Sequence, residues 1–190
     1  MTDIFIAEAG TEATVRSAAT GDTAAFSRLA AEHHAAMVRV AYIICGDRDT
    51  GLDAAQAAWT RAWHGLRSLR EPSHVRAWLL AITANEARKL VRGQRRFRVA
   101  DISLDVASDM VTGRATSDPI GSLDALDLQR ALRSLSPEDR SLLALRYVAE
   151  LDSMAIGEQL GISASGVRSR LARVLARLRL DLSVPPELDR

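Results

Sequence analysis

A single cysteine, Cys45, occurs among 190 residues. That excludes an internal disulfide and fits a reducing, cytoplasmic setting. Long apolar runs are also missing. The longest, Ala77 to Ala84, contains Thr83 and falls far short of the roughly 20 residues that span a bilayer. The first residues, Met-Thr-Asp-Ile-Phe-Ile-Ala-Glu, carry no basic head before their apolar side chains, so a secretory signal is not expected. No stretch alternates polar with β-branched apolar residues, which leaves no expected sheet, and no internal repeat is present. A glycine-rich phosphate loop is absent from the sequence. His33, His34, His64 and His74 lack metal-ligand spacing with acids or with Cys45, so no metal or other cofactor is expected. The segment from Asp47 has Leu52 where a calcium loop needs glycine and Ala58 where it needs glutamate. An enzyme is therefore not expected, and Cys45 between Ile44 and Gly46 reads as a small buried hydrophobe.

Charge of one sign is missing too, since 25 basic residues face 24 acidic ones for a net charge of +1. The total conceals a pattern. Residues 1–100 hold 14 basic and 10 acidic groups, residues 101–127 one and six, and residues 128–190 ten and eight. Two basic blocks thus flank an acidic one. The middle stretch is rich in Asp, Ser, Gly and Thr without helical spacing of apolar residues, and reads as a linker. Of the basic residues 24 are arginine, and alanine supplies 32 residues. A GC-rich coding bias accounts for both enrichments; arginine also suits phosphates and base edges. Composition permits nucleic-acid binding without arguing for it.

Everything outside the linker and the weakly patterned first 20 residues reads as helix. The first 20 are expected to be either frayed or a short extra helix. Phe26, Leu29, His33, Met37, Val40 and Ile44 step by three and four, with Asp22 placed to cap the start and Gly46 the end. A second stripe runs Leu52, Ala55, Trp59, Ala62/Trp63, Leu66, and a third Val75, Trp78, Leu79, Ile82 after Pro72 and Ser73. The first half is expected as a helical bundle packed on Trp59, Trp63 and Trp78. In the second half, Leu123 to Leu135 precedes a helix opened by Ser136 and Pro137, with Glu138 and Asp139 favouring the helix dipole.

From Leu151 to Leu171 the pattern is helix–turn–helix. A helix over Ser153–Leu160 is stopped by Gly161, and Ser163 caps a second helix reaching about Leu182. On the second helix Val167, Leu171, Val174, Leu175, Leu178 and Leu182 share roughly 100° of arc. Ser165 and Ser169 lie opposite, flanked by Arg168 on one edge and Arg170 and Arg173 on the other. Small residues and arginines on an exposed face suit a helix that enters a major groove; a solvated arginine face of an ordinary hairpin is the alternative. A second basic run, Arg88 to Arg98, has six cations in 11 residues and no acid. With Asn85 and Phe97 nearby it suits backbone contact and stacking on an unpaired base, or else a solubilising helix end.

Together these residues resemble the extracytoplasmic-function group of sigma-70 family sigma factors, the promoter-recognition subunits of bacterial RNA polymerase. Asp53-Ala-Ala-Gln56, running on to Trp63, is similar to the family's helix that docks on the β′ clamp helices. Arg76-Ala-Trp78 through Ile82 to Asn85, then Arg92, Arg95 and Arg96, is similar to its strand-opening segment. Leu135-Ser-Pro137-Glu-Asp-Arg140 and Val167-Arg-Ser-Arg170-Leu are similar to its upstream-reading helix–turn–helix. Departures are Gly157 and Gly166 in the second half and Lys89 after the asparagine. Gly157 costs about 1 kcal/mol relative to alanine inside a helix, so that helix is either weak or tightly packed.

The resemblance implies an all-α protein of two small helical domains joined by a flexible acidic linker. Its divisions are an extension over 1–20, region 2 over 21–98, a linker over 99–123, region 4 over 124–184 and a tail over 185–190. No appended domain is expected after Pro186. The implied activity is transcription initiation, with core polymerase as partner through its β′ clamp helices and β flap; Asp53 and Gln56 would dock on the β′ clamp helices. Asn85, Arg88, Lys89, Arg92, Arg95 and Arg96 would open the downstream (minus-ten) element, with a flipped base held by the loop from Gly65 to Ser73. Ser165, Arg168, Ser169, Arg170 and Arg173 would read the upstream (minus-thirty-five) element. Further implied are an anti-sigma partner, a cytoplasmic location and no membrane insertion. A helix–turn–helix regulator unconnected with polymerase is the alternative.

Overall fold

Eight helices carry the described part of the chain. The structure is a computed structural model that describes residues 2–102 and 123–183. In order the helices are α1 (Thr2–Ala19), α2 (Thr23–Cys45), α3 (Arg48–Gly65), α4 (Val75–Ile102), α5 (Leu123–Ser134), α6 (Pro137–Tyr147), α7 (Ser153–Leu160) and α8 (Ala164–Ser183). No strand occurs among the described residues, as expected for an all-α chain. None of the described helices is long and apolar enough to cross a membrane. Most of the expected linker, residues 103–122, and the expected tail lie outside the described residues. Helix α4 nonetheless continues to Ile102, past the expected boundary at 99.

Local chemistry sets the helix ends. The Asp22 carboxylate accepts the Ala24 and Ala25 amides and the Ser17 hydroxyl, which holds it below the usual carboxylate range. Gly46 closes α2 in the left-handed region at φ 83°, and Gly161 closes α7 at φ 69°. Ser136 accepts the Asp139 amide at 3.1 Å with Pro137 in the first turn, and Asp152 caps α7. The first 20 residues resolve to the extra helix: Val15 and Ala18 of α1 are buried in the core against α2.

One expectation needs correcting. Of the three expected tryptophans, Trp59 and Trp78 lie part-buried against the core, but Trp63 does not. The buried side of α3 consists of Ala54, Ala55, Ala58 and Ala62 with Gly51, while Trp63 is 36% exposed and Leu52 is 40% exposed. Close approach explains this. A Cβ on Gly51 would lie 3.1 Å from the Cα of Tyr42, so α2 and α3 meet nearly backbone to backbone. Large rings cannot fit in that gap and take its margins, where Phe26 meets Trp59 and Trp63 edge-on at 5.5 and 4.8 Å.

The two halves also pack against each other. α6 lies on α2 and α4, and buried residues from Val15 to Leu178 form one connected apolar cluster. The Arg140 guanidinium of α6, 8% exposed, rests 3.1 Å from the Cβ position of Gly46 at the end of α2. The positive φ at Gly46 favours glycine, and a Cβ there would also push the Arg140 guanidinium aside by a few tenths of an ångström.

Candidate nucleic-acid interface

Asp53 and Gln56 are both exposed on α3, one turn apart and beside the buried alanine face. An exposed carboxylate and carboxamide at that spacing present acceptors and donors to a facing helix without disturbing the core.

The basic stretch of α4 is less uniform than its sequence suggests. Lys89 is exposed and pairs at 3.6 Å with Glu86, a nearly buried carboxylate that Arg61 of α3 also meets at 3.1 Å. Lys89 and Arg61 therefore neutralise an acid at the α3–α4 contact. Arg92 is exposed one turn further on. Arg95 and Arg96 belong to α4, and their side chains lie outside the described residues. Asn85 donates to the Gln159 side-chain oxygen at 3.3 Å, and Arg88 donates to the Asn85 side-chain oxygen and to the Gln159 carbonyl at 3.2 Å. Burial pulls Arg88 below the usual guanidinium range, and the nearby Arg92 adds to this.

At the opposite, N-terminal end of α4, the loop from Gly65 to Ser73 forms two short turns, Leu66–Ser68 and the one opened by Pro72. Arg67 anchors it by donating to the Ala19 carbonyl at the end of α1 at 2.9 Å. The contact joins α1 to the loop through a backbone acceptor, so no sequence signal announced it.

In the helix–turn–helix, Gly157 resolves to the tightly packed alternative. A Cβ there would lie 2.6 Å from the Ile162 carbonyl, closer than real side chains come. The α7–α8 corner thus depends on an absent methyl group. Ser163 accepts the Gly166 amide at 3.1 Å and starts α8. Val167, Val174 and Leu178 are buried, whereas Leu182 is 47% exposed. Ser165, Arg168, Ser169 and Arg173 are exposed together. Arg170 differs: it is part-buried and pairs with Asp139 of α6 at 2.7 Å, an acid that also accepts the Ser136 hydroxyl. Arg170, Arg173 and Arg177 line a cavity of about 420 Å³ with Leu135, Asp139 and Val174. Its cationic wall can seat a phosphate.

Cys45 is half-buried, and burial with Asp47 nearby pushes its thiol up to about 12. It stays a neutral thiol, as a packing residue should.

Comparison with known proteins matches this arrangement half by half. Residues 29–97 match the family described as Sigma-70 region 2, and residues 125–178 match Sigma-70, region 4. The chain is 30% identical to the RNA polymerase sigma factor NccH of Alcaligenes xylosoxydans xylosoxydans, covering 88% of this chain and 91% of that one. It is 28% identical to the ECF RNA polymerase sigma factor SigL of Mycobacterium tuberculosis, covering 90% and 96%. A third relative, "Probable RNA polymerase sigma factor RfaY" of Xanthomonas campestris pv. campestris, is 32% identical over 87% of this chain, which spans 42% of its length. Among solved structures, the sigma factor RpoE of Bartonella quintana, in complex with the anti-sigma factor NepR, shares the fold. Its TM-score is 0.66 at 24% identity, over 87% of this chain and 98% of that one. The chain belongs to the sigma-70 family of RNA polymerase sigma factors, in the extracytoplasmic-function group.

Proposed function

We propose that this sigma factor works purely by binding, in the cytoplasm, with the two halves dividing promoter recognition between them. Helix α3 docks on the β′ clamp helices of core polymerase through Asp53 and Gln56. The basic stretch of α4 supports the opened downstream element through Asn85, Arg88, Arg92, Arg95 and Arg96, with Lys89 adding field beside Glu86. Helix α8 enters the upstream major groove with Ser165, Arg168 and Ser169 toward the bases. Arg173 meets the backbone at the cationic cavity, and Arg170 positions α8 on α6 through Asp139.

The observation that carries this reading is the open face of α8. Ser165, Arg168 and Ser169 are exposed together in the first turns of a helix whose opposite side holds the buried Val167 and Val174. Small side chains at 165 and 169 let the helix approach base edges, while Arg168 supplies the paired donors that guanine prefers.

An anti-sigma protein is the partner expected to restrain such a factor, as NepR accompanies the sigma factor RpoE. Core polymerase co-purification tests the docking assignment. The intact chain should retain polymerase, and Asp53→Ala with Gln56→Ala should release it. Retention unaffected by both changes would place the docking surface elsewhere.

A further inference from the structure

Helix α1 precedes the residues that match region 2, which begin at 29, yet it is built into that half of the molecule. Val15 and Ala18 sit in the core, and α1 touches both short turns of the loop from Gly65 to Ser73. The corner after α1 is fixed. Gly21 turns the chain at φ 102°, and the Asp22 carboxylate accepts the Ser17 hydroxyl at 2.7 Å while capping α2. The Ala19 carbonyl is thus held in a set direction. Like other carbonyls in the last turn of a helix, it lacks an intrahelical donor and carries partial negative charge. Nε of Arg67 fills that vacancy at 2.9 Å, across 48 residues of sequence.

The other hydrogen bonds of the loop are short-range. Ser68 donates to the Gly65 carbonyl at 2.7 Å, the Leu69 amide to the Leu66 carbonyl at 3.1 Å, and Glu71 pairs with His74 at 3.0 Å. These bonds shape each turn without orienting it on the molecule. Leu66 is buried and Leu69 packs on the core, so both root the first turn. Apolar contact is non-directional, however, whereas a hydrogen bond to a fixed carbonyl sets an angle. Arg67 is itself exposed and borders a cavity of about 260 Å³ beside Trp63 and His64, so the bond to Ala19 rather than close packing directs its side chain.

We propose that Arg67 is a positioning residue for promoter reading: by tying the first turn of the loop to the end of α1, it sets the base selectivity of that loop. Helix α1 is thereby part of the reading unit. The inference rests on the assignment of this loop to a flipped base of the downstream element. Arg67 acts through the loop, not by contact with the DNA. Without the tie the turn samples several orientations, and the difference in affinity between the favoured base and the others shrinks.

The test uses holoenzyme assembled from the full chain and core polymerase, with fork-junction DNA whose single-stranded downstream element is randomised. Bound DNA is sequenced, and the preference at each position is read alongside affinity and salt dependence. Arg67→Ala should cut the preference at one position about tenfold and leave the other positions within about twofold. The log–log salt slope should stay unchanged. Arg67→Lys, which keeps the charge and a donor, should lose less; a loss equal to that of alanine would mean that donation to Ala19 is not the cause, which overturns the proposal. An affinity loss shared by all sequences, with the slope flattened by about 0.9, would make Arg67 a phosphate ligand and overturn it as well. Preferences that are unchanged everywhere, or weakened equally at every position, also overturn it. If the unsubstituted chain shows no preference at any position, the assignment of the loop to the downstream element fails, and the inference with it.

Discussion

His33 is a polar residue on the apolar stripe of α2, 6% exposed, with its Nε2 buried and lacking a hydrogen-bond partner. Burial holds its pKa below the ordinary 6.5 and the Arg76 cation pushes the same way, against the opposing pull of Glu32. The folded state therefore prefers the neutral ring. Its stabilising contribution is complete above about pH 6.5 and is lost as pH falls through the lowered folded value. Urea unfolding midpoints should drop on acidification below pH 6.5 and drop less in His33→Gln; equal pH dependence of the two proteins would remove His33 as the cause. Gly157 makes the opposite point about sequence reading. Helix propensity says alanine would help by about 1 kcal/mol, yet the Ile162 carbonyl occupies the space at 2.6 Å. Gly157→Ala should destabilise the fold by about 1–3 kcal/mol in chemical denaturation, because backbone rather than a flexible side chain has to move. A stability gain would refute that packing.

At the scale of helices, what was legible was local. Asp22, Gly46, Ser136, Pro137 and Gly161 marked boundaries because capping depends on residues within a turn of one another. The buried side of α3 was legible only in part: Ala55, Ala62 and Leu66 of the expected stripe are buried, whereas Leu52 and Trp63 are exposed. Its stripe of large residues and its stripe of alanines lie about one residue apart, and periodicity alone cannot rank a small residue above a large one. Only the closeness of α2 at Gly51 decides it. Helix α8 shows the same limit for function. Spacing placed Arg168, Arg170 and Arg173 on exposed edges, but Asp139, 31 residues before Arg170, draws that side chain aside. Arg168→Ala and Arg173→Ala should each flatten the log–log salt dependence of duplex binding by about 0.9. Arg170→Ala should leave that slope nearly unchanged and lower unfolding stability by about 1 kcal/mol, since its pair is only partly buried. A flattening by about 0.9 in Arg170→Ala would make it a phosphate ligand after all.

At the scale of the molecule, sequence texture divides the chain into two basic blocks around an acidic one, whereas the helices of both blocks share one apolar core. That union was hidden for a physical reason. Arg76 meets carbonyls 72 and 73 residues away, and a backbone acceptor leaves no trace in residue identity. The resemblance of the two blocks to region 2 and region 4 was readable because both are built from short motifs in a fixed order. The central claim concerns what those regions do together: bring core polymerase to promoters and start transcription there. Run-off transcription with purified core polymerase over a genomic promoter pool tests it most directly. The account predicts discrete transcripts that need this chain and disappear with Asp53→Ala plus Gln56→Ala. A transcript pattern identical to that of core polymerase alone would contradict it.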